Sequence, residues 1–171
     1  MAGCRVRMAV NLSPIQLREP DFAVLVRRVL DESKLQGNAL ELEVTERVFL
    51  DPSKAAIAKT LREVTEMGVR LAIDDFGTGC YSSLGYLKHF PFDRIKVDGS
   101  FVQDIGIESE TEMIVQAIIT LGRSLGKSVT AEGVETDLQL SFLRHNMCDE
   151  AQGFLLAHPA SADNLANVLK S

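Results

Sequence analysis

The stretch Arg70-Leu71-Ala72-Ile73-Asp74-Asp75 decides the fold of this chain, because a short run typical of a buried strand ends directly in two carboxylates. Five other strand-like runs end in a carboxylate, an amide or a lysine, and a helical stretch follows each of the six. These runs are 5–10 before Asn11, 40–42 before Glu43, 94–95 before Lys96, 128–131 before Glu132 and 150–151 before Gln152. The carboxyl ends of parallel strands lie at one edge of a sheet, where loops from separate units converge. The pattern therefore predicts an α/β enzyme whose site is assembled from six strand ends.

The composition limits the classes of function. The chain has 171 residues, of which 46% are hydrophobic, so it is long enough for one domain with a sizeable core. Its formal net charge of −6 argues against a nucleic-acid polymer or a membrane surface as partner, since both require a basic face. A small phosphorylated ligand is compatible with this charge if metal ions supply positive charge. The lack of a long apolar run, a signal peptide or paired cysteine motifs favours a cytoplasmic segment.

The spacing of the units leaves two architectures open. Strand and helix alternate about every 28 residues, which predicts a parallel sheet with right-handed crossovers. Six units suit either an open doubly wound sheet or a (β/α)₈ barrel that lacks two of its units. The chain begins almost directly on a strand, and we take this as favouring a barrel truncated at its front.

Side-chain alternation predicts which residues share the inner face of such a sheet. Glu41, Glu43 and Thr45 lie on one face of their strand. Arg94, Lys96 and Asp98 share a face by the same count, as do Thr130 and Glu132. The mouth of a barrel would then hold Glu43, either Asp74 or Asp75, and Glu132, with Lys96 as the obvious cation.

A carboxylate-rich site of this kind indicates a metal. Several partly buried carboxylates facing one ammonium require more positive charge to remain ionised. Ligands that are all oxygen suit Mg²⁺ or Mn²⁺ better than Zn²⁺, and two such ions are a common arrangement for phosphodiester hydrolysis. The alternative is that Lys96 pairs with Asp93 or Asp98 and that the acidic residues are solvated strand ends.

The strand-end residues belong to longer motifs that resemble the EAL-domain family. In chain order they are Val10-Asn11-Leu12-Ser13, Glu41-Leu42-Glu43-Val44-Thr45-Glu46, Asp74-Asp75-Phe76-Gly77-Thr78-Gly79, Lys96-Val97-Asp98, Ala131-Glu132-Gly133-Val134-Glu135 and Gln152-Gly153-Phe154. Six motifs in the family's order and spacing cover essentially the whole chain. The resemblance implies a TIM-like (β/α)₈ barrel that hydrolyses the bacterial messenger cyclic di-GMP to linear pGpG with Mg²⁺ or Mn²⁺. It also implies a homodimer or other self-association, and sensor or GGDEF domains upstream in a longer cytoplasmic signalling protein.

The resemblance also assigns roles, position by position. Asn11, Glu43, Asp74 and Glu132 match the metal ligands, and Asp75 matches the aspartate that serves a second metal. Lys96 matches the lysine that positions or activates the attacking water, so the expected catalytic set is Lys96, Glu132 and Asp75. Four further residues are expected to support the site: Gln152 at its edge, Glu46 under the loop after the third strand, Glu135 near the guanine and metal region, and Asp98 beside the lysine.

The chain departs from the family in two respects. The Glu-Ala-Leu signature and the phosphate-contacting arginine after it are absent. We therefore expect residues 1–171 to form a single EAL-type domain that lacks its N-terminal portion, with a metal site open on one side. In addition, Cys80 is inserted between the Gly-Thr-Gly motif and Tyr81, and the extra residue can detune the loop that carries the aspartates.

Three functions follow from this comparison. The first is a cyclic di-GMP phosphodiesterase that is weak or inactive as this chain alone. The second is a receptor that binds cyclic di-GMP without cleaving it. The third is a regulatory or dimerisation fragment. The intact ligand residues favour the enzyme, whereas the absent front portion favours the fragment for this polypeptide taken alone.

Overall fold

A computed structural model describes residues 6–79, 87, 90–162 and 164 of the chain. The strands are β1 (Met8–Leu12), β2 (Leu40–Thr45), β3 (Arg70–Phe76), β4 (Arg94–Val97), β5 (Ser128–Ala131) and β6 (Glu150–Ala151). The α-helices are α1 (Pro14–Arg18), α2 (Phe22–Ser33), α3 (Lys54–Thr65), α4 (Gly99–Gln103), α5 (Ser109–Ser124) and α6 (Asp137–His145). Short 3₁₀ helices occupy Gly37–Ala39 and Glu46–Leu50.

The strands form one sheet in which spatial order follows chain order, from β1 to β6, and neighbouring strands are parallel throughout. A doubly wound sheet reverses its strand order at a switch point, whereas strands added in sequence order build a barrel wall. The observed order therefore decides between the two predicted architectures in favour of the barrel type. Within the described ranges, β1 and β6 are the two edges of this sheet.

The two faces of the sheet bury different kinds of side chain. Ile95 and Val97 of β4 are fully buried and belong to the hydrophobic core. The alternate residues on β4, Arg94 and Lys96, are also buried, with 9% and 5% of their surface exposed. Glu41 and Glu43 of β2 are buried in the same way. The inner, polar face predicted from alternation is therefore present, and it carries charged side chains in a largely dry environment.

Helix packing agrees with the sequence pattern only in part. Apolar residues spaced three and four positions apart predict one buried stripe on each of α2, α3 and α5, and the stripe on α3, Ile57, Leu61 and Val64, is buried. On α2 the predicted stripe is too wide, because Leu25 and Val29 are exposed. On α5 the spacing predicts a stripe of Ile114, Ala117, Ile118, Leu121 and Leu125, of which Ile118 is buried and Leu121 is half-buried against the core. The other buried residues of α5 are Thr111, Val115, Ile119 and Gly122. Ile114, Ala117 and Leu125, which were predicted as core, are exposed. No helix in the described part of the chain combines the length and apolar character needed to cross a bilayer.

The sequence predicts two helix starts, one from a capping box between Thr136 and Gln139 and one from Asp51 as a cap residue before Pro52. At α6 the capping box forms as predicted, since Gln139 N donates to the Thr136 hydroxyl and Thr136 N donates to Gln139 Oε1. At α3 the predicted Asp51-Pro52 start is two residues early, because Ser53 is the N-cap residue. Asp51 instead accepts a hydrogen bond from Ser53 N at 2.8 Å, and this bond holds the turn that leads into the helix.

Candidate active site

The carboxyl edge of the sheet is organised around the ammonium group of Lys96 on β4. Its Nζ lies 2.7 Å from Glu132 Oε1, 2.9 Å from Glu43 Oε1 and 2.9 Å from Asp74 Oδ1. These carboxylates come from the ends of β2 and β3 and from the residue that follows β5. The predicted alternative, in which Lys96 pairs with Asp93 or Asp98, is wrong. Asp93 pairs with Arg70, and Asp98 accepts from the backbone of Ser100.

A β-bulge explains how consecutive aspartates reach the same site. In a regular strand, Asp74 and Asp75 would point to opposite faces. The pairing of β3 with β4 advances three residues from Ile73 to Phe76 but only two on β4, so one residue is extra. Asp75 takes the left-handed backbone conformation, with φ at +52°. Carboxylate oxygens of Asp74, Asp75 and Glu132 consequently lie within 4.8 Å of one another. Side-chain alternation leaves open which aspartate enters the lumen, whereas the family resemblance assigns both to metals, and the bulge brings both into the site.

The charges of this cluster do not balance. Burial alone would lower the pKa of Lys96, but hydrogen bonds to Glu132, Glu43 and Asp74 outweigh it and hold the pKa raised. Burial raises the pKa of Glu132 despite its hydrogen bond with Lys96, and the nearby carboxylates of Asp74 and Glu43 raise it further. One ammonium faces three carboxylates, which leaves a surplus of two negative charges when all are ionised. Such a surplus favours the binding of additional cations.

Asp75 and Asp98 form a second, linked pair. Burial and the charges of Asp74 and Asp98 raise the pKa of Asp75. Burial would also raise the pKa of Asp98, but hydrogen bonds from Ser100 and from Asp75 lower it. Asp98 is the N-cap residue of α4, and its Oδ1 accepts from Ser100 N at 2.9 Å. Asp75 therefore has the higher pKa of the two carboxyl groups, and α4 fixes the position of its partner Asp98.

The ligand set fits a divalent cation that prefers oxygen. Asp74, Asp75 and Glu132 offer carboxylate oxygens at mutual distances suited to a shared ion. Oδ1 of Asp74 is buried, and Lys96 Nζ lies 2.9 Å from it, an ammonium group that Asp74 shares with Glu43 and Glu132. A buried acceptor of this kind is stabilised when it binds a cation. The donor set thus supports a divalent metal site at this edge of the sheet.

Glu46 supports the loop that follows Asp74 and Asp75. This glutamate is 7% exposed, and its Oε2 accepts a hydrogen bond from Gly77 N at 3.2 Å. The 3₁₀ segment Glu46–Leu50 is anchored in turn by the Phe49 ring, which packs edge to face on Phe90 at 4.7 Å between centroids. Asp51, at the end of the segment, forms a close ion pair with Arg18 of α1.

The remaining predicted site residues lie around this cluster. Asn11 pairs in register with Glu43, but its side chain is exposed on the edge strand β1. Gln152 lines a cavity of about 350 Å³ on the inner face of the sheet, together with Glu43 and Lys96. Glu135 is exposed, and its backbone N–H donates to Gln139 Oε1. The predicted effect of Cys80 concerns a residue that lies outside the described ranges.

The sequence reading missed a second charged group on the inner face. Arg94 contacts Glu41 on one side and Glu150 on the other, immediately below the Lys96 cluster. The signal was present, since Arg94 shares a face with Lys96 by alternation and Glu41 shares one with Glu43. Glu150, however, stood at the start of a very short strand, where alternation gives little guidance.

A parallel, barrel-type sheet with an acidic, oxygen-only cluster at the carboxyl ends of its strands is typical of TIM-barrel-like proteins whose site is suited to divalent cations. The EAL domain family model matches residues 2–159. The chain belongs to the EAL domain family.

Relatives and solved structures agree with this assignment. The chain is 42% identical over 167 residues to the cyclic di-GMP phosphodiesterase NbdA of Pseudomonas aeruginosa, a match that covers 98% of this chain and 21% of that protein. It superposes on the PaMucR phosphodiesterase in its c-di-GMP complex with a TM-score of 0.87 and 42% identity, covering 93% of this chain and 64% of that one. A manganese/cy-diGMP complex of Klebsiella pneumoniae BlrP1 gives a TM-score of 0.83 at 34% identity, covering 92% of this chain and 40% of that one. The chain spans about a fifth of the length of the curated relatives it matches.

Proposed function

We propose that this chain provides most of the active site of a metal-dependent phosphodiesterase that opens cyclic di-GMP to linear pGpG. The observation that carries the proposal is the Lys96 cluster, in which Glu43, Asp74 and Glu132 surround one ammonium group. Buried carboxylates that outnumber the cations paired with them are expected at a site that binds additional cations. The family assignment supplies the substrate class.

The proposed roles follow from the geometry. Glu43, Asp74, Asp75 and Glu132 would hold Mg²⁺ or Mn²⁺, with Asn11 as a neutral oxygen ligand beside Glu43. When bound, divalent ions supply a low-pKa water and stabilise charge on the phosphate oxygens.

Lys96 supplies hydrogen-bond donors and a fixed positive charge at the same point. Because its pKa is raised, it is an ammonium at neutral pH and orients oxygen nucleophiles through its N–H groups. Asp98 holds Asp75, and Glu46 holds the loop through Gly77 N, so both act on the position of the ligands. Gln152 borders the cavity next to Lys96 and is placed to contact ligand or water, and Glu135 is assigned to the outer rim of the site.

The partners in this proposal come from the family rather than from the geometry. We propose cyclic di-GMP as the ligand, Mg²⁺ or Mn²⁺ as the metal, and a homodimer or other self-associated state. We further propose that sensor or GGDEF domains accompany this domain in a longer bacterial protein located in the cytoplasm.

The direct test compares this chain with its full-length parent under identical conditions. Both are incubated with cyclic di-GMP and Mn²⁺, and pGpG is measured by chromatography. We expect metal-dependent pGpG formation by the parent, its loss in Asp74→Asn, and no change in Glu63→Gln. Glu63 is a suitable control because it pairs with Lys59 on the surface of α3. Absence of pGpG from a parent that binds Mn²⁺ would overturn the catalytic proposal in favour of a receptor.

A further inference from the structure

A second group of charged side chains lies on the inner face of the sheet, closer to the amino ends of the strands than the Lys96 cluster. We call this group, Glu41, Arg94 and Glu150, the lower layer. Arg94 Nη1 donates to Thr130 Oγ1 at 2.7 Å, and Nη2 donates to Glu150 Oε1 at 2.9 Å. Nη1 also contacts the other oxygen of Glu150, so the pair is bidentate. On the opposite side, Arg94 Nε lies 3.4 Å from Glu41 Oε1.

This lower layer repeats the upper one, two residues earlier on each strand. Glu41 precedes Glu43 on β2, Arg94 precedes Lys96 on β4, and Glu150 precedes Gln152 at the end of β6. Side chains two apart on a strand point to the same face, about 7 Å from each other. Each member of the lower layer therefore stands beneath a residue assigned to the site.

The strands joined in this way are not neighbours. β3 separates β2 from β4, and β5 separates β4 from β6, so backbone hydrogen bonds do not connect them directly. The Arg94 guanidinium spans both gaps, with hydrogen bonds toward Glu150 and an ion-pair contact, without a hydrogen bond, toward Glu41. Glu150 is half exposed, so in this chain the hold on β6 depends on a contact at the edge of the sheet.

We propose that Arg94 is a positioning residue for the Lys96 site. Through Glu41 and Glu150 it sets the separation of β2, β4 and β6, and therefore the positions of Glu43, Lys96 and Gln152 relative to one another. Its functional consequence rests on the function proposed above, whereas its structural part stands on the contacts alone.

The test uses Arg94→Lys and Glu150→Gln in the full 171-residue chain, with Arg70→Lys as the matched control. Lysine keeps the positive charge, so a changed metal affinity reports geometry and not the electrostatic field. Arg70 is a suitable control because it forms an arginine–carboxylate pair with Asp93 at the amino end of the sheet, where both side chains are partly exposed. Glu150→Gln changes an exposed side chain, and this variant keeps the test decisive if Arg94→Lys does not fold.

The first measurement is amide hydrogen exchange at Gln152 and Val134, whose N–H groups hold β6 through Ala131 O and Gln152 O. We expect exchange at both amides to accelerate at least about tenfold relative to amides of β2 and β3, in Arg94→Lys and Glu150→Gln but not in Arg70→Lys. The second measurement is Mn²⁺ affinity by calorimetry. We expect about fivefold weaker binding in Arg94→Lys, and binding within about twofold of the wild type in Glu150→Gln, because β6 bears no carboxylate ligand.

The proposal is overturned if the relative exchange at Gln152 and Val134 is unchanged in a folded Arg94→Lys or Glu150→Gln protein. It is also overturned if the Arg70→Lys control loses protection and Mn²⁺ affinity to the same extent. A general loss of stability would weaken Mn²⁺ binding in both inner-layer variants alike, which also contradicts it. Failure of the proposed function is distinguishable, since it shows as the absence of pGpG in the unmodified parent. The exchange result is decided without metal or substrate.

Discussion

The two ends of the sheet balance their charges in different ways. At the amino end three carboxylates face three cations: Arg70 lies 2.6 Å from Asp93, Arg7 lies 3.3 Å from Glu41, and Arg94 contacts both Glu41 and Glu150. At the carboxyl end three carboxylates share the single ammonium of Lys96. The same strands thus carry matched pairs at one end and an acidic surplus at the other. The difference separates the part that stabilises the fold from the part that can bind cations and react.

The largest effect is expected from removing the central cation. Lys96→Met leaves buried carboxylates unpaired, and we expect a loss of about 3–5 kcal/mol in the free energy of unfolding at pH 7 with chelator present. Urea denaturation measures this loss. Mn²⁺ should restore part of it, because a bound cation replaces the missing charge. A loss below about 1 kcal/mol would show that the two ends do not differ in this respect.

The next effect concerns turnover in the longer protein that we propose contains this domain. We expect Lys96→Ala to reduce kcat for cyclic di-GMP by about 10²–10³-fold, since it removes a fixed positive charge beside the reacting phosphate. Nucleotide binding, measured by calorimetry, should be largely retained, because the lysine is assigned to water and not to guanine. If Lys96→Ala turns over near the parent rate, the assigned role is wrong. A variant that fails to bind is uninformative about catalysis, so binding is measured first.

A third prediction compares the unmodified chain with an intact homologous domain. The sequence contains neither the Glu-Ala-Leu signature nor its arginine. We expect pGpG formation by the chain alone to be at least about tenfold slower, because ligand and phosphate charges remain less well balanced. Chromatography of the product checks this. Turnover within tenfold of the intact domain would mean that the described cluster is sufficient.

Breaking a matched pair at the amino end should have a small effect. The side chains of Arg70 and Asp93 are 48% and 31% exposed. We therefore expect Arg70→Gln to change the free energy of unfolding by less than about 1 kcal/mol, with Mn²⁺ affinity unaltered. Urea denaturation and calorimetry on the same preparation test both statements. A metal-affinity change in this variant would link the amino end to the site.

The smallest effect should come from Arg18–Asp51, a matched pair at the carboxyl end. A hydrogen bond from Arg18 lowers the pKa of Asp51. The stabilisation is therefore present above about pH 4, the unfolded-state value, and is lost as the pH falls through the folded-state value. Asp51→Asn should lower the thermal midpoint slightly at pH 7, and this difference should shrink at pH 3. A pH-independent difference would contradict the assignment.

The sequence anticipated the strand ends well and the side-chain geometry less well. Glu43, Lys96 and Glu132 follow from alternation along regular strands, where the period of two fixes the face. Alternation does not predict that Asp74 and Asp75 both enter the site, because this depends on a β-bulge at which the register of β3 shifts against β4. Helix α5 carries apolar residues on most of its surface, so periodicity alone could not decide between Ile114 and Val115 as core. Pairing between distant strands, as in Arg94 and Glu150, leaves no local signal at all.

The bulge at Asp75 also determines how mutations there must be interpreted. Asparagine and aspartate tolerate the left-handed backbone region, whereas alanine does so at a cost of about 1 kcal/mol. An alanine substitution at this position would therefore distort the loop and remove a carboxylate at the same time. Both effects would then be read as a loss of metal binding. Asp75→Asn keeps the backbone angle and the shape of the side chain, and removes only the charge. The residue at position 75 therefore meets two requirements: it must tolerate the left-handed backbone conformation, and it must offer a carboxylate to the site.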